Sequence, residues 1–386
     1  MAADATVTVT LGFLPESLAV PDDEHPGLLR AGPRASAPYG DGRTERHACP
    51  ATDLLQDPGV RPDLFGFGFD TVDLAGINAL QEVLVRVRDA GRIDDADASV
   101  IRSALDGAVL PCSTGSVLTV LHVADEGLIM RTAGPNGMSV VGPRSRGMND
   151  HGGATSVHAD QDVFGTPLSE LMDGRAPTLF RHHSPDGAND EAGLMLVNLW
   201  IPLHQITQPL TLADGRSIDR RRHQLRYGLP TDSFLEREDA MGINDIWTFL
   251  HDPSQDWYFR SDMDHRQAYV FDTLSTAHGA CTLPGEDLAE QCYLSLVDAE
   301  AAVLSGDVTA LAAAVRASAG ATAAREVPRS LHEAIAAMVA VADEASREPA
   351  AVCGERAERW LAASREARGR VIRRSLELRM VVSFTA

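Results

Sequence analysis

The sequence predicts a mainly β chain with flanking α-helices, and three observations predict it. From residue 117 onward the hydrophobic periodicity shortens to that of strands. An alanine-rich stretch over residues 287–370 has helical character instead. Residues 371–384 then return to strand alternation, so strand character lies on both sides of the helical stretch.

Taken in order, residues 6–14 (TVTVTLGFL) alternate β-branched and apolar side chains and predict a strand. Residues 21–62 are rich in Pro, Gly, Asp and Arg and predict a long irregular segment. Leu74, Ile77, Leu80, Leu84 and Val87 form a helical stripe, and residues 96–109 predict a second helix with Val100, Ile101, Leu105 and Val109 inward. Residues 117–123 and 127–131 read as two strands joined by Ala124-Asp125-Glu126, with a further β segment at 139–141. His182 and His183 fall among Asp186, Asn189 and Asp190, a composition expected of a solvated loop. Residues 194–203 (LMLVNLWIPL) predict a buried strand, and residues 209–216 a strand followed by a turn. The arginines from 220 to 226 are expected on a solvated face. Trp257-Tyr258-Phe259 and residues 268–273 predict two more strands. The helical stretch breaks near Gly306, Gly320, Pro328 and Pro349, which gives three or four helices. In the final strand Arg373, Ser375, Glu377 and Arg379 share one face, and Arg374, Leu376, Leu378 and Met380 the other. The second face is mostly apolar and is expected to pack outward against helices, which turns the first toward the interior.

Composition narrows the function. The 386 residues carry a formal charge of −21, and aromatic residues make up only 5%, so a nucleic-acid partner is not expected. There is no lysine; all positive side chains are arginine, which excludes a Schiff-base lysine, a phosphate-loop lysine and a lysine general base. A carboxylate ligand would therefore meet arginine, whose planar fork suits bidentate recognition. Cys49, Cys112, Cys281, Cys292 and Cys353 are scattered and odd in number, consistent with a reduced, cytoplasmic protein. No signal peptide or membrane-spanning stretch is expected.

The chemistry-bearing residues centre on Val157-His158-Ala159-Asp160 and on His278, which follows a β run. In a strand, residues two apart share a face, so His158 and Asp160 would project together. With a second imidazole from a distant strand they make a 2-His-1-carboxylate set, which suits iron and leaves open positions on it.

An ordered series of motifs resembles a family of Fe(II)/2-oxoglutarate-dependent oxygenases. The family includes the cephamycin C-7 methoxylase component, gibberellin GA4-desaturase-like proteins and fungal meroterpenoid-tailoring enzymes. The motifs are Val157-His158-Ala159-Asp160-Gln161, Asn198-Leu199-Trp200-Ile201-Pro202-Leu203, Pro209 to Asp214, Trp257 to Phe259, Phe271-Asp272-Thr273 with His278, and an Arg-x-Ser-Leu-Glu-x-Arg strand from Arg373 to Arg379. They cover roughly residues 115–285 and the last strand.

The resemblance implies a double-stranded β-helix (jelly roll, cupin-like) core with an alanine-rich helical insertion before its last strand. The divisions it suggests are an N-terminal part, 1–114, packing on the core; a core, 115–286; the insertion, 287–370, as a lid or homodimer surface; and a final core strand, 371–386. It implies iron on His158, Asp160 and His278, with Arg373 and Ser375 holding the distal carboxylate of 2-oxoglutarate. Arg260, Arg266 and, by one register step, Arg374 are the other candidates for that anchor. Fe(II), 2-oxoglutarate and O2 would then support hydroxylation, desaturation or oxidative cyclisation of a small natural-product-like molecule of secondary metabolism. Asp160 argues against a halogenase, which needs that coordination position free. A cupin-like isomerase or hydrolase not using 2-oxoglutarate and a scaffold protein with an incidental H-x-D are the alternatives.

Overall fold

The computed structural model describes residues 5–32, 44–125, 127–141, 147–165, 168–185, 187–203, 208–230, 243–324 and 327–385. Residues 33–43, which belong to the segment expected to be irregular, lie outside the described residues, as do Glu126 and Asp186.

The chain opens with β1 (Thr6–Phe13), the short β2 (Ala19–Pro21) and β3 (Leu29–Ala31), then β4 (Glu45–Asp53) and β5 (Phe69–Asp73). The strands β3 and β4 correct the expectation of an irregular segment over 21–62. β4 alternates through Cys49, Ala51 and Asp53, side chains too small or polar to register as a hydrophobic run, and it pairs along its whole length with β1. α1 (Asn78–Ala90) buries Leu80, Val83, Leu84 and Val87 and ends at Gly91, whose φ of 68° suits glycine. α2 (Asp95–Leu105) starts at Asp94, whose carboxylate accepts from the Asp97 amide. Of its expected inward residues Ile101 and Leu105 are buried, whereas Val100 and Val109 are exposed.

The core strands follow: β6 (Val109–Pro111), β7 (Val117–Val123), β8 (Ile129–Ala133) and β9 (His158–Ala159). Residues 139–141 form no strand. After the short α3 (Leu168–Leu171) and α4 (Ala176–Leu179), β10 (His182–Ser184) and β11 (Gly187–Asn189) make a hairpin where a loop was expected. Next come β12 (Leu194–Pro202), β13 (Leu210–Ala213), α5 (Arg220–His223), β14 (Gln224–Pro230), β15 (Ile243–Phe249), β16 (Trp257–Phe259), β17 (Gln267–Asp272) and β18 (His278–Ala280). The helical stretch comprises α6 (Glu286–Ser305), α7 (Val308–Ala314), α8 (Arg329–Arg347), α9 (Pro349–Cys353) and α10 (Ala357–Gly369), and β19 (Arg373–Thr385) closes the series.

Among the described residues a ten-stranded sheet has the order β1-β4-β16-β13-β18-β9-β15-β14-β3-β2, and a second has β5-β17-β12-β19-β7-β6 with β8 also beside β19. Within them, β8-β19-β12-β17 and β16-β13-β18-β9 are two facing quartets, and the chain passes back and forth between them. That is the double-stranded β-helix, a jelly roll.

Alternation decides which side chains enter the interior. Leu199, Ile201, Leu376, Leu378 and Met380 share a cluster with α1 and α2 on the outside of the second sheet. Val157, Ala159, Trp247 and Trp257 share another with α6, α8 and α10 on the outside of the first. Helices therefore cover both outer faces, and the opposite side chains of the same strands meet between the sheets. Among the described residues no helix is long and apolar enough to cross a membrane.

Candidate metal centre

Because Val157 and Ala159 are buried outward, His158 and Asp160 turn between the sheets. His278 lies directly opposite His158 in the antiparallel pairing of β18 with β9, so the two imidazoles are cross-strand neighbours on one face. Their ring centroids are 4.4 Å apart. His158 Nε2 lies 3.4 Å from Asp160 Oδ1, and His278 Nε2 lies 3.7 Å from Asp160 Oδ2. One ligand atom from each residue can be chosen so that all lie within 4.8 Å of one another. Among the described residues no other three His, Cys, Asp or Glu side chains converge in this way.

Both imidazoles are held by the same device. His158 Nδ1 is 2.8 Å from the Ser156 carbonyl oxygen and His278 Nδ1 is 3.0 Å from that of Thr276. A carbonyl only accepts, so Nδ1 of each ring carries a proton and Nε2 is the nitrogen turned to the centre, as a metal ligand requires. Burial, reinforced by the neighbouring His158, pushes the His278 pKa down to about 4, which keeps this imidazole neutral at pH 7. Burial opposes ionisation of Asp160, yet His278, His158 and Arg379 together hold its carboxyl far below the usual range. Burial opposes protonation of His158, yet the Asp160 carboxylate raises its pKa, so a metal that takes the place of that proton meets two imidazole nitrogens and one ionised carboxylate.

Asp160 Oδ2 accepts a hydrogen bond from Asn198 Nδ2, and Asn198 Oδ1 accepts one of 2.8 Å from Thr273 Oγ1. Arg131 Nε donates to Glu377 Oε1 at 2.6 Å, a largely buried ion pair on the inner wall. The motif series contained Asn198 and Thr273 but gave them no partner, since nothing in the sequence links either to Asp160.

Arg373 and Ser375, also on the inner face of β19, are 1% and 0% exposed. Arg373 Nε and Nη1 and Ser375 Oγ are buried without a hydrogen-bond partner. The guanidinium sits 5.4 Å from the Trp200 ring centroid, and burial pushes its pKa down to about 10. The other candidate arginines are placed differently. Arg374 lies on the outer face beside Gly91. Arg266 has a 65% exposed side chain bonded to Asp264. Arg260 lines a separate surface cavity with Leu54, Val60, Thr71 and Ser113.

The loop after Asp160 is fastened by a buried cluster of charges. Arg226, expected on a solvated face, is 2% exposed and bonds both Asp162 and Asp22, the latter at 3.0 Å. Arg30 joins Asp22 and Asp245 at 3.6 and 3.7 Å. His183 pairs with Asp190 at 2.9 Å, away from any metal-like group.

A family model described as YDMC, an oxidoreductase/YMDC permease-like domain, matches residues 139–284, less than half of the chain. No curated protein matches. Among solved structures, the chain is similar to the iron and alpha-ketoglutarate-dependent endoperoxidase NvfI, with 13% identity, 99% of each chain covered and a TM-score of 0.47. A tryptophan-to-phenylalanine variant of that enzyme gives 13% identity, 99% coverage of both chains and a TM-score of 0.48. At that similarity nothing about this chain's chemistry follows from those proteins.

Proposed function

We propose that this chain is a non-haem Fe(II)- and 2-oxoglutarate-dependent oxygenase that oxidises a C–H bond of a small, natural-product-like substrate. The observation that carries the reading is the pairing of a His158–Asp160–His278 centre with a buried, unpartnered Arg373–Ser375 pair between the same two sheets. A buried guanidinium with free N–H groups is unfavourable unless an anion completes it. A dicarboxylate with one end at the metal and the other at Arg373 would do so, and the motif resemblance points to the same residues.

In this reading His158, Asp160 and His278 hold the metal. The Nδ1–H bonds to Ser156 and Thr276 aim the Nε2 atoms and fix their tautomer. Arg373 takes the distal carboxylate of the co-substrate as a bidentate fork, and the Ser375 hydroxyl adds a third donor. Trp200 packs against that guanidinium and Phe271 lies 4.6 Å from the His278 ring, so apolar surface adjoins both ends of the site and limits water. Bound Fe(II), 2-oxoglutarate and O2 supply the oxidising power for hydroxylation, desaturation or ring closure.

A cupin-like metal enzyme that uses no keto acid is the second reading, and it leaves the free Arg373 nitrogens without a purpose. The test is anaerobic titration with Fe(II) and then 2-oxoglutarate, following the weak visible charge-transfer band of the chelate in wild type and Arg373→Ala. A band in wild type that weakens strongly in the variant is expected. A band unchanged in the variant moves the anchor to another arginine. Metal binding without a band favours the cupin-like reading, and no metal binding defeats both.

A further inference from the structure

We infer that Asn198 and Thr273 form a positioning relay that ties one oxygen of Asp160 to the protein and leaves the other to the metal. The inference rests on the metal site proposed above and deepens it. Asp160 follows β9, a strand of two residues whose ladder with β15 ends at Ala159. The two histidines are each fixed by a pairing register and a carbonyl; the carboxylate has neither. Its support comes from the opposite sheet. Asn198 sits inside β12, bonded between β17 and β19. Thr273, just past β17, is anchored by its amide to the Leu196 carbonyl at 3.1 Å. Both side chains are buried, at 3% and 0% exposure.

The direction of the relay is set by its donors. The Thr273 hydroxyl donates to Asn198 Oδ1, which turns the amide NH2 toward Asp160, where Nδ2 donates to Oδ2. An amide turned the other way would set its oxygen against an ionised carboxylate, and the hydroxyl, which can donate or accept, follows the turn this imposes. With Oδ2 held by Asn198, Oδ1, which lies 3.4 Å from His158 Nε2 at the centre, is the oxygen with no donor from the opposite sheet. The carboxylate is thereby held as a one-oxygen ligand, and it cannot rotate to chelate with both and fill a coordination position the co-substrate needs. The general expectation for groups behind a metal ligand is a loss of about 10–100-fold in metal affinity on removal.

Cobalt(II) is the probe, because its visible absorption weakens as coordination number rises. Wild type, Asn198→Ala, Thr273→Val, Thr273→Ser and, as control, His158→Ala are titrated with Co(II) against a competing chelator. Thr273→Ser keeps the hydroxyl and is expected to match wild type in affinity and spectrum. Asn198→Ala is expected to bind about 10–100-fold more weakly, with reduced visible absorption. Thr273→Val, nearly isosteric, should show a smaller change of the same kind. Wild-type affinity and spectrum in both Asn198→Ala and Thr273→Val overturn the relay while leaving the metal site intact. If Asn198→Ala lacks a cooperative melt, the contrast between valine and serine at 273 decides. A wild-type protein that takes up no Co(II), or takes it up equally in His158→Ala, defeats the metal site and the relay with it.

Discussion

Replacing Arg373 by methionine should make the ligand-free protein more stable. The guanidinium is 1% exposed, two of its nitrogens lack an acceptor, and burial pushes its pKa down to about 10. A base whose folded pKa is depressed is unfavourable at every pH below the folded value, and the effect fades only as pH rises past it. At about 1.4 kcal/mol per pKa unit, a depression from the ordinary arginine value to about 10 corresponds to about 3 kcal/mol at pH 7. Loss of the contact with Trp200, worth roughly 0.5–2 kcal/mol, offsets part of this, and methionine fills most of the same space. The net expectation is a gain of about 1–2 kcal/mol, or about 1–3 °C in melting midpoint for a chain of this length. The assay is thermal unfolding at pH 7 with Mn(II) present, with and without 2-oxoglutarate. Wild type should gain about 3 kcal/mol at a hundredfold excess over Kd, and Arg373→Met should gain nothing. A variant that melts well below wild type without ligand would refute the reasoning, because the guanidinium would then be satisfied within the fold.

Further outcomes follow from the same structure. Burial pushes the Glu286 pKa up to about 8 despite hydrogen bonds from the Asn136 and Leu283 amides. The folded chain therefore binds this proton more tightly than the unfolded chain, and stability falls as pH rises between about 4.5 and about 8. Urea unfolding at pH 6 and pH 8 should show Glu286→Gln gaining roughly 2–3 kcal/mol on wild type across that interval; parallel curves would refute the shift. Arg226→Met leaves Asp22 and Asp162 buried without their main counter-charge and should lose about 3–5 kcal/mol by chemical denaturation. A loss below 1 kcal/mol would mean that water reaches the cluster. In Gly12→Ala the new Cβ would lie 2.8 Å from the Thr155 carbonyl oxygen, beside the Gly12 carbonyl that accepts from the Val157 amide. The expected result is a loss of about 1–3 kcal/mol together with weaker Co(II) binding, and unchanged values for both would show that the two segments part freely.

The elements legible in the sequence were those whose pattern is local. His158 and Asp160 share a face by strand alternation alone, and the two faces of β19 could be read from its apolar and polar parity. α1 announced itself through Leu80, Leu84 and Val87. The illegible parts depend on partners far along the chain. Arg226 reads as one arginine in a basic run because Asp162 and Asp22 lie 64 and 204 residues away. Asn198 reads as a polar break in an apolar strand because Asp160 is 38 residues distant. β4 escaped for a different reason: its inward positions are Cys49, Ala51 and Asp53 and its middle is Pro50, so hydrophobicity carries little of its period. His182 and His183, with turn-forming neighbours, gave no sign of the β10–β11 hairpin, whose pairing is only a few residues long.

The place of β19 in the second sheet sets an order of events in time. It bonds β12 on one side and β7 and β8 on the other, yet it is synthesised after the whole helical stretch. Until it emerges from the ribosome, β5-β17-β12 and β6-β7 meet only at the edge, where the Ser113 amide bonds the Thr71 carbonyl, and β8 lacks its neighbouring strand. The same segment that joins the pieces carries Arg373 and Ser375. Long-range pairing of this kind is slow and comes late in folding. A chain halted before β19 can already have made every residue of the His158–Asp160–His278 centre, but it lacks a central strand of the second sheet and the anion pocket. Barrel closure and completion of that pocket are therefore one event, and no partly made chain has the second without the first.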